Sequence, residues 1–544
     1  MSGESGEARA SYQSLAPEKG LGLVRRRRLM RSTQDGTDAA SMRPAGARMA
    51  AARRWTLAAT IIGSSLTFVD ATVVNVALPA LQADLHASIT DVQWVIEAYA
   101  LFLGSLILVG GSTGDQLGRK RTFLAGVMLF TVASVACGLA MSTRALIAAR
   151  AVQGVGAAFL MPGSLAIISA TFDGADRGRA IGTWSGFSAM TSAIGPVAGG
   201  WLIEHVSWRA VFFLNVPLSA IVIALSARFM DESRDPSRSS RIDWAGAALA
   251  VLGLGGVVFA LLEWPRLDAD RVLVRAAMLG GVASLAALVV VERSVPGPML
   301  PIGLFRSRTF SLANLLTLFL YGALATVFWL VPLNLIQVQH YSTTAAGAAL
   351  LPFPVLMFLL SRWSGGLTAR VGSRLPLTIG PIVAALGLAL FARLGIGGSY
   401  WTTFFPAVAV LGFGMAIVVA PLTTTAMTAV EAQHAGVASG VNNAVARIAG
   451  LIAIAGFGLL LVRSFDVRVS AALDRLDPPA AARTAIDREL PKLAGAEIPP
   501  AIESPQRVAA RRAIDESFVS AFGVVMMSAA AVALAAAVAG AFIR

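Results

Sequence analysis

Three ionisable side chains lie inside long apolar stretches of this sequence. Asp70 stands in FVDATVVNVALPAL, Glu97 in VQWVIEAYAL and Arg150 in LIAARAVQGVGAA. A charged group is costly in hydrocarbon and is seldom kept there unless it binds an ion or pairs with another charge. Burial disfavours the charged form of a carboxyl group, so such an acid can bind a proton near neutral pH. These residues therefore predict a site where a bound proton and an ion pair replace one another.

The composition predicts that these residues are positioned by membrane helices. The chain has 544 residues, of which 56% are apolar and only 14% charged, and its mean hydropathy is +0.70. A helix needs about 20 apolar residues to cross a bilayer, and the sequence contains fourteen such runs by our reading. We predict an all-α polytopic membrane protein with Asp70, Glu97 and Arg150 on helices 1, 2 and 4. The single cysteine, Cys137, excludes an intramolecular disulfide.

An internal repeat predicts how the helices are grouped. GSTGDQLGRKR and GGLTARVGSR share glycines at Gly111 and Gly365 and at Gly118 and Gly372, about 254 residues apart. That offset equals the distance from helix 1 to helix 9, so we predict two six-helix bundles with two helices inserted between them. The predicted segments are a disordered basic tail (1–54), an N-terminal bundle (55–229), inserted helices 7 and 8 (243–291), and a C-terminal bundle (309–542) that contains a long loop (463–515).

The basic residues predict the orientation. Short loops on the side of the N-terminus carry roughly 15 Lys and Arg against roughly 6 on the other side, which predicts that both termini are cytoplasmic. The basic tail predicts contact with anionic lipid rather than nucleic acid, since no aromatic interleaving accompanies its arginines. The location predicted is the inner (plasma) membrane. The loop 463–515 would then lie outside, either as a solvated hairpin or as a surface for a periplasmic or extracellular adaptor.

The three intramembrane charges are expected at similar depth. Asp70 lies about 10 Å from the outer end of helix 1, and Glu97 and Arg150 each lie about 5 residues into their helices from the same side. A buried guanidinium needs a partner, which Asp70 or Glu97 would supply. Our hypothesis is a three-residue proton-coupling switch in which protonation of the acid releases Arg150. The alternatives are a structural, hydrogen-bonded Asp70 and a Glu97 that is hydrated in an outer vestibule.

Several motifs resemble those of one family. GSTGDQLGRKR resembles the cytoplasmic loop motif of the major facilitator superfamily, LIAARAVQGVGAA its helix-4 motif and AIGPVAGG its helix-5 antiporter motif. With VDATVVNVALP, WRAVFFLNVP and fourteen spans, the sequence is similar to the fourteen-helix drug:proton antiporters of the bacterial multidrug efflux type. The resemblance implies the major facilitator fold and proton-driven export of small lipophilic or cationic compounds such as drugs, dyes and antibiotics.

The resemblance also implies roles for particular residues. The cytoplasmic gate motif would comprise Gly111, Asp115, Gly118, Arg119 and Lys120, and from its charges we expect it to lock one bundle to the other. The antiporter motif of helix 5 would comprise Gly195, Pro196, Gly199 and Gly200, which predict a bend and a tight helix contact. Two departures weaken the loop motif: Gln116 follows Asp115 where the family usually has Arg, and the second copy has Ala369 in place of an acid.

A substrate cavity between the bundles should be lined by polar and aromatic side chains that can bind a lipophilic cation. The candidates are Asn75, Tyr99, Gln153, Trp184, Phe187, Tyr321, Trp329 and Arg447. For Arg447 the alternatives are a structural role, bonding to carbonyls or to the amides of Asn442 and Asn443, and contact with an anionic or carbonyl-bearing substrate. The four histidines lack metal-ligand spacing, and we predict no metal and no cofactor.

The sequence leaves three functions to compare. Proton-coupled antiport by alternating access, with small molecules and protons as the partners, fits the intramembrane charges best. Export of a lipid or amphiphilic metabolite in the same fold is the alternative, favoured by the scarcity of acids in the second bundle. A membrane-embedded enzyme is the third, but neither a phosphate-binding G-x-x-x-x-G-K-[ST] loop nor H-E-x-x-H is present.

Overall fold

A computed structural model describes residues 21–234, 242–265, 271–295, 298, 300–431, 435–498 and 504–543, which are helical without a strand. The main helices within these ranges are α1 Leu21–Asp84, α2 Ile89–Leu117, α3 Arg119–Gly138, α4 Thr143–Thr171, α5 Gly174–His205, α6 Ala210–Phe213 continued by Asn215–Phe229, α7 Trp244–Glu263, α8 Arg271–Ser294, α9 Arg308–Leu333 continued by a π turn Asn334–Val338, α10 Thr343–Ala349 continued by Pro352–Gly365, α11 Arg374–Phe391, α12 Phe404–Thr428, α13 Ala435–Leu476 and α14 Ser504–Ala541.

Thirteen of these helices are long and apolar enough to cross a membrane, counted over the described residues. The thirteen do not include α5, which forms where the fifth span is predicted and whose sequence is rich in Gly, Ser and Thr. In α1, the part with the length and composition to cross a membrane is Ala51–Asp84. The prediction of an all-helical polytopic membrane protein is confirmed, with α5 as the least apolar of the fourteen predicted spans by this test.

Local sequence explains where several helices begin. Ser88 caps α2 in a capping box, since its Oγ accepts from the backbone N–H of Asp91 (3.2 Å) and the Asp91 carboxylate accepts from the N–H of Ser88 (3.0 Å). Ser142, Ser307 and Ser342 each accept a backbone N–H at the first turn of α4, α9 and α10. These bonds satisfy N–H groups that a helix start leaves without an intrahelical acceptor.

The two halves use the same helix pairings, which matches the repeat in the sequence. In the N-terminal half α4 packs against α2 and α3, and α3 packs against α6. In the C-terminal half α12 packs against α10 and α11, and α11 packs against α14. Gly118 and Gly372, which the repeat aligns, both have positive φ, of 120° and 76°. Both therefore adopt a backbone conformation that glycine tolerates and most residues do not.

The halves meet along α2 with α13 and along α5 with α10, and the inserted helix α7 packs against α8, α2 and α13. Close approach is built into these contacts. A Cβ on Gly347 would lie 2.2 Å from the Pro196 carbonyl oxygen, and one on Gly200 would lie 2.6 Å from that of Thr343. Only glycine permits backbones this close, so α5 and α10 form a tight seam.

Two segments differ from the expectation. Met1–Arg54 and Trp55–Arg544 are separate compact units. In the unit Met1–Arg54, the residues from Leu21 onwards are helical where the sequence predicts disorder. Residues 1–20 lie outside the described residues. In the second, α13 continues to Leu476, well past the predicted end of its span at 462, because its apolar face stays buried through Phe465, Val469 and Leu473.

Candidate functional site

Asp70 and Arg150 form a buried ion pair. Arg150 Nη1 lies 2.5 Å from Asp70 Oδ2, and each side chain is only 1% exposed. Gln153, one turn along α4, closes the arrangement: its Nε2 donates to Asp70 Oδ1 (2.8 Å) and its Oε1 accepts from Arg150 (2.7 Å). Of the two acids that could pair with Arg150, the structure brings Asp70 into contact.

Arg150 also contacts α2, through a backbone carbonyl and an aromatic ring. Its Nε donates to the carbonyl of Val95 on α2 at 3.0 Å, and its guanidinium carbon lies 4.2 Å from the centre of the Tyr99 ring. A desolvated cation over an aromatic face is stabilised by about 2 kcal/mol. Tyr99, a predicted cavity residue, is only 4% exposed, and its ring packs against the Arg150 guanidinium.

Two further polar residues extend the network into α3 and α6, and sequence reasoning missed both. Ser134 Oγ accepts from Gln153 Nε2 (3.3 Å) and from Asn215 Nδ2 (2.8 Å), and donates to the Phe212 carbonyl (2.9 Å). Both are fully buried. Their signal was available, because each is a lone polar residue in an apolar run. We refer to Asp70, Arg150, Gln153, Ser134 and Asn215 as the Asp70 network.

Glu97 is not part of this network. It is 0% exposed, and neither carboxylate oxygen has a hydrogen-bond partner among the described residues. The alternative of a hydrated vestibule residue is therefore wrong for this conformation. The predicted three-residue switch therefore becomes an ion pair of Asp70 and Arg150, with Glu97 as a separate buried acid.

The C-terminal half has a neutral cluster between α9 and α13, the helices that the repeat aligns with α1 and α5. Asn442 Nδ2 on α13 donates to Asn314 Oδ1 (3.1 Å) and to Thr317 Oγ1 (2.7 Å) on α9. The nearby Arg447 guanidinium contacts the sulfur of Met161 on α4, in the other half. The Asn442 amide is thus committed to α9, and the Asn443 side chain bonds the Ser439 carbonyl of its own helix at 3.0 Å.

The loop motif between α2 and α3 forms contacts within the N-terminal half. Arg119 pairs with Asp115 at 2.9 Å and Lys120 Nζ donates to the Met230 carbonyl at 2.6 Å. Glu232, which the sequence did not single out, accepts from the backbone N–H of Lys120 (3.0 Å) and of Arg121 (3.2 Å) at the start of α3. These contacts lie within the N-terminal half, and the bundle-to-bundle lock expected of the charges stays a prediction.

The glycines of the loop motif have separate packing roles. Gly111 faces Pro162 of α4, where a Cβ would make ordinary contact at 3.6 Å. Gly118 has no such room, since a Cβ there would lie 2.6 Å from Glu232 Oε1. Gly118 therefore allows the Glu232 carboxylate to reach the N-terminus of α3, a position that favours a negative charge.

The helix-5 motif packs α5 against α1 as well as α10. A Cβ on Gly195 would lie 2.4 Å from Thr72 Oγ1, and one on Gly199 would lie 2.4 Å from Val73 Cγ1. Pro196 lies inside α5, which continues as one helix to His205. The tight contact expected from the motif is present, and it joins the helix that carries Asp70 to the seam with the other half.

Contacts on the predicted outer side join the halves. Gln82 at the end of α1 accepts from Gln337 Nε2 of the C-terminal half at 2.8 Å, and its own Nε2 donates to the Lys492 carbonyl at 3.2 Å. At the end of α5, Glu204 accepts from the Thr344 hydroxyl at 2.7 Å. These bonds close the two halves against each other at this end.

The loop between α13 and α14 takes part in this closure. It contains a short helix, Ala480–Glu489, and a 3₁₀ turn, Leu490–Gly495, whose Leu493 and Ala494 are 1% exposed. Partial burial alone would raise the pKa of Glu489, but hydrogen bonds from Lys492 Nζ and from the backbone of Glu497 hold it below its usual value. The expected solvated hairpin is therefore wrong for this turn, which packs into the core.

The remaining predicted cavity residues lie in different surroundings. Trp329 is 0% exposed in the helix core and has no surface toward a cavity here. Trp184 is half-buried, with its Nε1 donating to Ser64 Oγ at 2.9 Å, and Phe187 one turn along α5 is 46% exposed. Asn75 bonds the Ala71 carbonyl of its own helix at 3.1 Å, and Tyr321 packs against the main core. Of these five, Phe187 has the most accessible side chain.

Known proteins resemble this chain in sequence and in fold. The Major Facilitator Superfamily profile matches residues 60–454. The "Multidrug resistance protein Stp" of Mycobacterium tuberculosis is 34% identical over 424 residues, which cover 78% of each chain. The "Tetracenomycin C resistance and export protein" of Streptomyces glaucescens is 31% identical over 505 residues, 90% of this chain and 92% of that protein. A bacterial homologue of the human lysosomal transporter Spinster, solved inward-facing and unoccupied, has a TM-score of 0.61 at 17% identity, over 91% of this chain and 98% of that one.

Proposed function

We propose that this chain, which belongs to the Major Facilitator Superfamily, exports small lipophilic or cationic compounds from the cytoplasm in exchange for protons. Its class is transporter and not enzyme. The observation that carries the proposal is the ion pair of Asp70 and Arg150, fully buried in a membrane helix bundle. The relatives named for multidrug resistance and for tetracenomycin C resistance and export support drugs and antibiotics as the substrate class.

The proton would act by removing the partner of Arg150. Once Asp70 is protonated, the guanidinium is a buried cation without its counterion, a situation that costs about 3–5 kcal/mol. Only neutral acceptors then remain to it, the Val95 carbonyl on α2 and Gln153 on α4. That cost favours a conformation in which Arg150 gains water or substrate. Protonation thereby biases a two-state equilibrium, which coupled transport requires.

Alternating access fits the arrangement of the halves. The present conformation is closed on the predicted outer side, where α5 meets α10 and Gln82 bonds Gln337. Both contacts join one half to the other, so a rocking motion of the halves would break them together. Export would load substrate from the opposite, cytoplasmic side in this conformation and release it after these contacts open.

The orientation and location follow from charge. The excess of Lys and Arg in short loops on the side of the N-terminus supports cytoplasmic termini and insertion into the plasma (inner) membrane. An extracytoplasmic adaptor would have to bind the exposed polar face of Ala480–Glu489, since the following turn is buried against the transmembrane helices.

A second candidate is export of a lipid or amphiphilic metabolite by the same mechanism. The observation in its favour is the polar cluster of the C-terminal half, Asn314, Thr317 and Asn442, which has no acid among its bonded members. If only the N-terminal half supplies acids to a central cavity, that cavity suits a neutral or amphiphilic substrate better than a multivalent cation.

Asp70→Asn tests the proposal. The purified variant and the wild type, reconstituted in vesicles, are compared for efflux of a panel of cationic dyes, antibiotics and amphiphiles, with and without a proton uncoupler. We expect wild-type efflux to collapse with the uncoupler and Asp70→Asn to lose coupled efflux while inserting normally. Asp84→Asn is the matched control, since Asp84 pairs with Arg209 at 2.7 Å in a half-exposed setting. Full coupled efflux by Asp70→Asn would contradict the proposal.

A further inference from the structure

We propose that Glu97 is a second proton-binding site, separate from the Asp70 network, whose proton is trapped when the contact of α2 with α13 closes. The inserted helix α7 forms one wall of this site and fixes its cap, Trp94. The inference rests on the proposed proton coupling and assigns the inserted helix a part in it.

The first argument is electrostatic. Glu97 is fully buried, and both of its carboxylate oxygens lack a hydrogen-bond partner among the described residues. An ionised carboxylate in that environment would lose its hydration without gaining a compensating donor or cation, which is strongly unfavourable. The protonated, uncharged group avoids that cost. The closed conformation therefore requires a proton on Glu97.

Helical spacing locates the site at a junction of three helices. Gln93, one turn before Glu97, donates to the Ile454 carbonyl of α13 at 3.4 Å and lies against Gly458. Leu101, one turn after it, packs in a cluster with Leu254 of α7 and Leu451 of α13. Residues four apart share one face of a helix. Glu97 therefore points toward the place where α2, α7 and α13 meet.

Trp94 caps this place on the predicted outer side. Side chains in a helix lean toward its N-terminus, so Trp94, three residues before Glu97, covers the outer approach to it. The indole Nε1 donates to Glu263 Oε1 at the end of α7 (2.8 Å), and the ring lies 6.3 Å from that of Phe259. Movement of α7 or α13 away from α2 would open the site to water.

Other charged groups on the helices packed against α2 are engaged or lie at other levels. The charged residues on the elements packed against α2 are Arg119, Lys120 and Arg121 on α3, Arg144 and Arg150 on α4, Glu263 on α7, Arg447, Arg463, Asp466, Arg468, Asp474 and Arg475 on α13, and Lys492 in the 3₁₀ turn Leu490–Gly495. Arg150 bonds Asp70, Glu263 bonds Trp94, and Arg447 lies beside Gly104, about 10 Å further along α2 than Glu97. Within the described residues none of them donates to Glu97.

The ligand of this site is a proton rather than a substrate. The α2–α13 contact is tight at this level, since a Cβ on Gly458 would overlap the Gln93 amide nitrogen at 1.7 Å. No organic cation fits a contact this close. Because closure requires the uncharged acid, closure is favoured below the pH at which Glu97 ionises when open to water, and it is lost as the pH rises.

A disulfide across the same helices measures that closure. A Cβ at Gly104 would lie 3.8 Å from Arg447 Cβ, within the range that a disulfide spans. In Gly104→Cys/Arg447→Cys we expect cross-linking to fall relative to the same protein carrying Glu97→Gln as the pH rises from about 5 to about 9. The ratio cancels the pH dependence of thiol reactivity. Glu97→Met provides a second uncharged variant if the glutamine disturbs folding. Identical pH curves with Glu97, Gln and Met would overturn the inference.

Proton counting separates this inference from the proposed function. With Arg447 intact, protons released on substrate binding are measured with a pH indicator for wild type, Glu97→Gln and the control Asp84→Asn. Bound substrate favours the transition in which α2 separates from α13, and that separation exposes Glu97 to water. We therefore expect Glu97→Gln to release fewer protons than wild type and Asp84→Asn to match wild type. Absence of any coupled proton in wild type would reject the proposed function. Coupled protons in wild type with an unchanged count in Glu97→Gln would reject the second site alone.

Discussion

The two halves of this protein share their helix pairings but differ in the polar chemistry at their centres. In the N-terminal half, Asp70, Arg150 and Gln153 form a charged, fully buried network that continues to Ser134 and Asn215. In the C-terminal half, α9 and α13 are joined by neutral amides and a hydroxyl, Asn442 with Asn314 and Thr317.

This difference separates two functions that one repeated fold could have shared. A buried ion pair changes its energy strongly when one member binds a proton, whereas an amide cluster responds little to pH. In the proposed mechanism the N-terminal half senses protons, while the C-terminal half holds its helices together and faces the other half. Arg447 is a charged residue on α13 of the C-terminal half that lies outside its neutral cluster, and its guanidinium contacts Met161 of the N-terminal half.

The largest effect is expected from Arg150→Met. It leaves Asp70 buried without its partner, so we expect loss of coupled export and a loss of stability of about 3–5 kcal/mol. Thermal unfolding in detergent and vesicle efflux measure the two effects. Arg150→Lys should recover part of the stability, since lysine keeps the charge but cannot make the several bonds of the guanidinium fork.

The double variant Asp70→Asn/Arg150→Met sharpens the same point. Removing both charges should restore most of the stability lost in Arg150→Met while export stays absent. If the double variant were as unstable as Arg150→Met, the cost would come from lost packing on Tyr99 and not from an unpaired charge.

A smaller effect is expected from Gln153→Leu. The leucine deprives Asp70 Oδ1 of the Gln153 donor and Ser134 Oγ of one of its two donors, but it leaves the ion pair in place. We expect a loss of stability of about 1–3 kcal/mol, together with a shift in the pH dependence of efflux. Efflux measured across a series of external pH values tests this, and an unchanged pH profile would exclude Gln153 from the proton-sensitive unit.

The smallest effect is expected from Asn442→Ala in the C-terminal half. It removes the bonds to Asn314 and Thr317, so unfolding should be easier by about 1–2 kcal/mol, with the number of protons coupled to export unchanged. Proton counting in vesicles decides this. A change in the number of coupled protons would contradict the contrast between the halves, since the C-terminal half would then also take part in proton coupling.

Much of this arrangement was readable from the sequence, for physical reasons. Asp70 and Arg150 were identified because a charge in hydrocarbon is conspicuous. The repeat was identified from shared glycines at a fixed offset, and the positive φ of Gly118 and Gly372 explains why glycine stands at both positions. Glu232 was missed because one acid just beyond a helix end looks like ordinary surface charge. Ser134 and Asn215 were missed because a lone Ser or Asn in a membrane helix also bonds its own backbone often enough to attract no attention.

The sequence by itself determined the class of the protein, because apolar runs of membrane-spanning length have few other uses, and it determined which residues carry intramembrane charge. Only the tertiary structure decided the pairing. Helical spacing gives depth along each axis but not rotation between helices, and rotation is what brings Arg150 to Asp70 and turns Glu97 toward α7 and α13. The same holds for the Leu490–Gly495 turn. It belongs to a loop whose Ala, Pro and mixed charge suggested solvent, whereas the tertiary packing buries its Leu493 and Ala494.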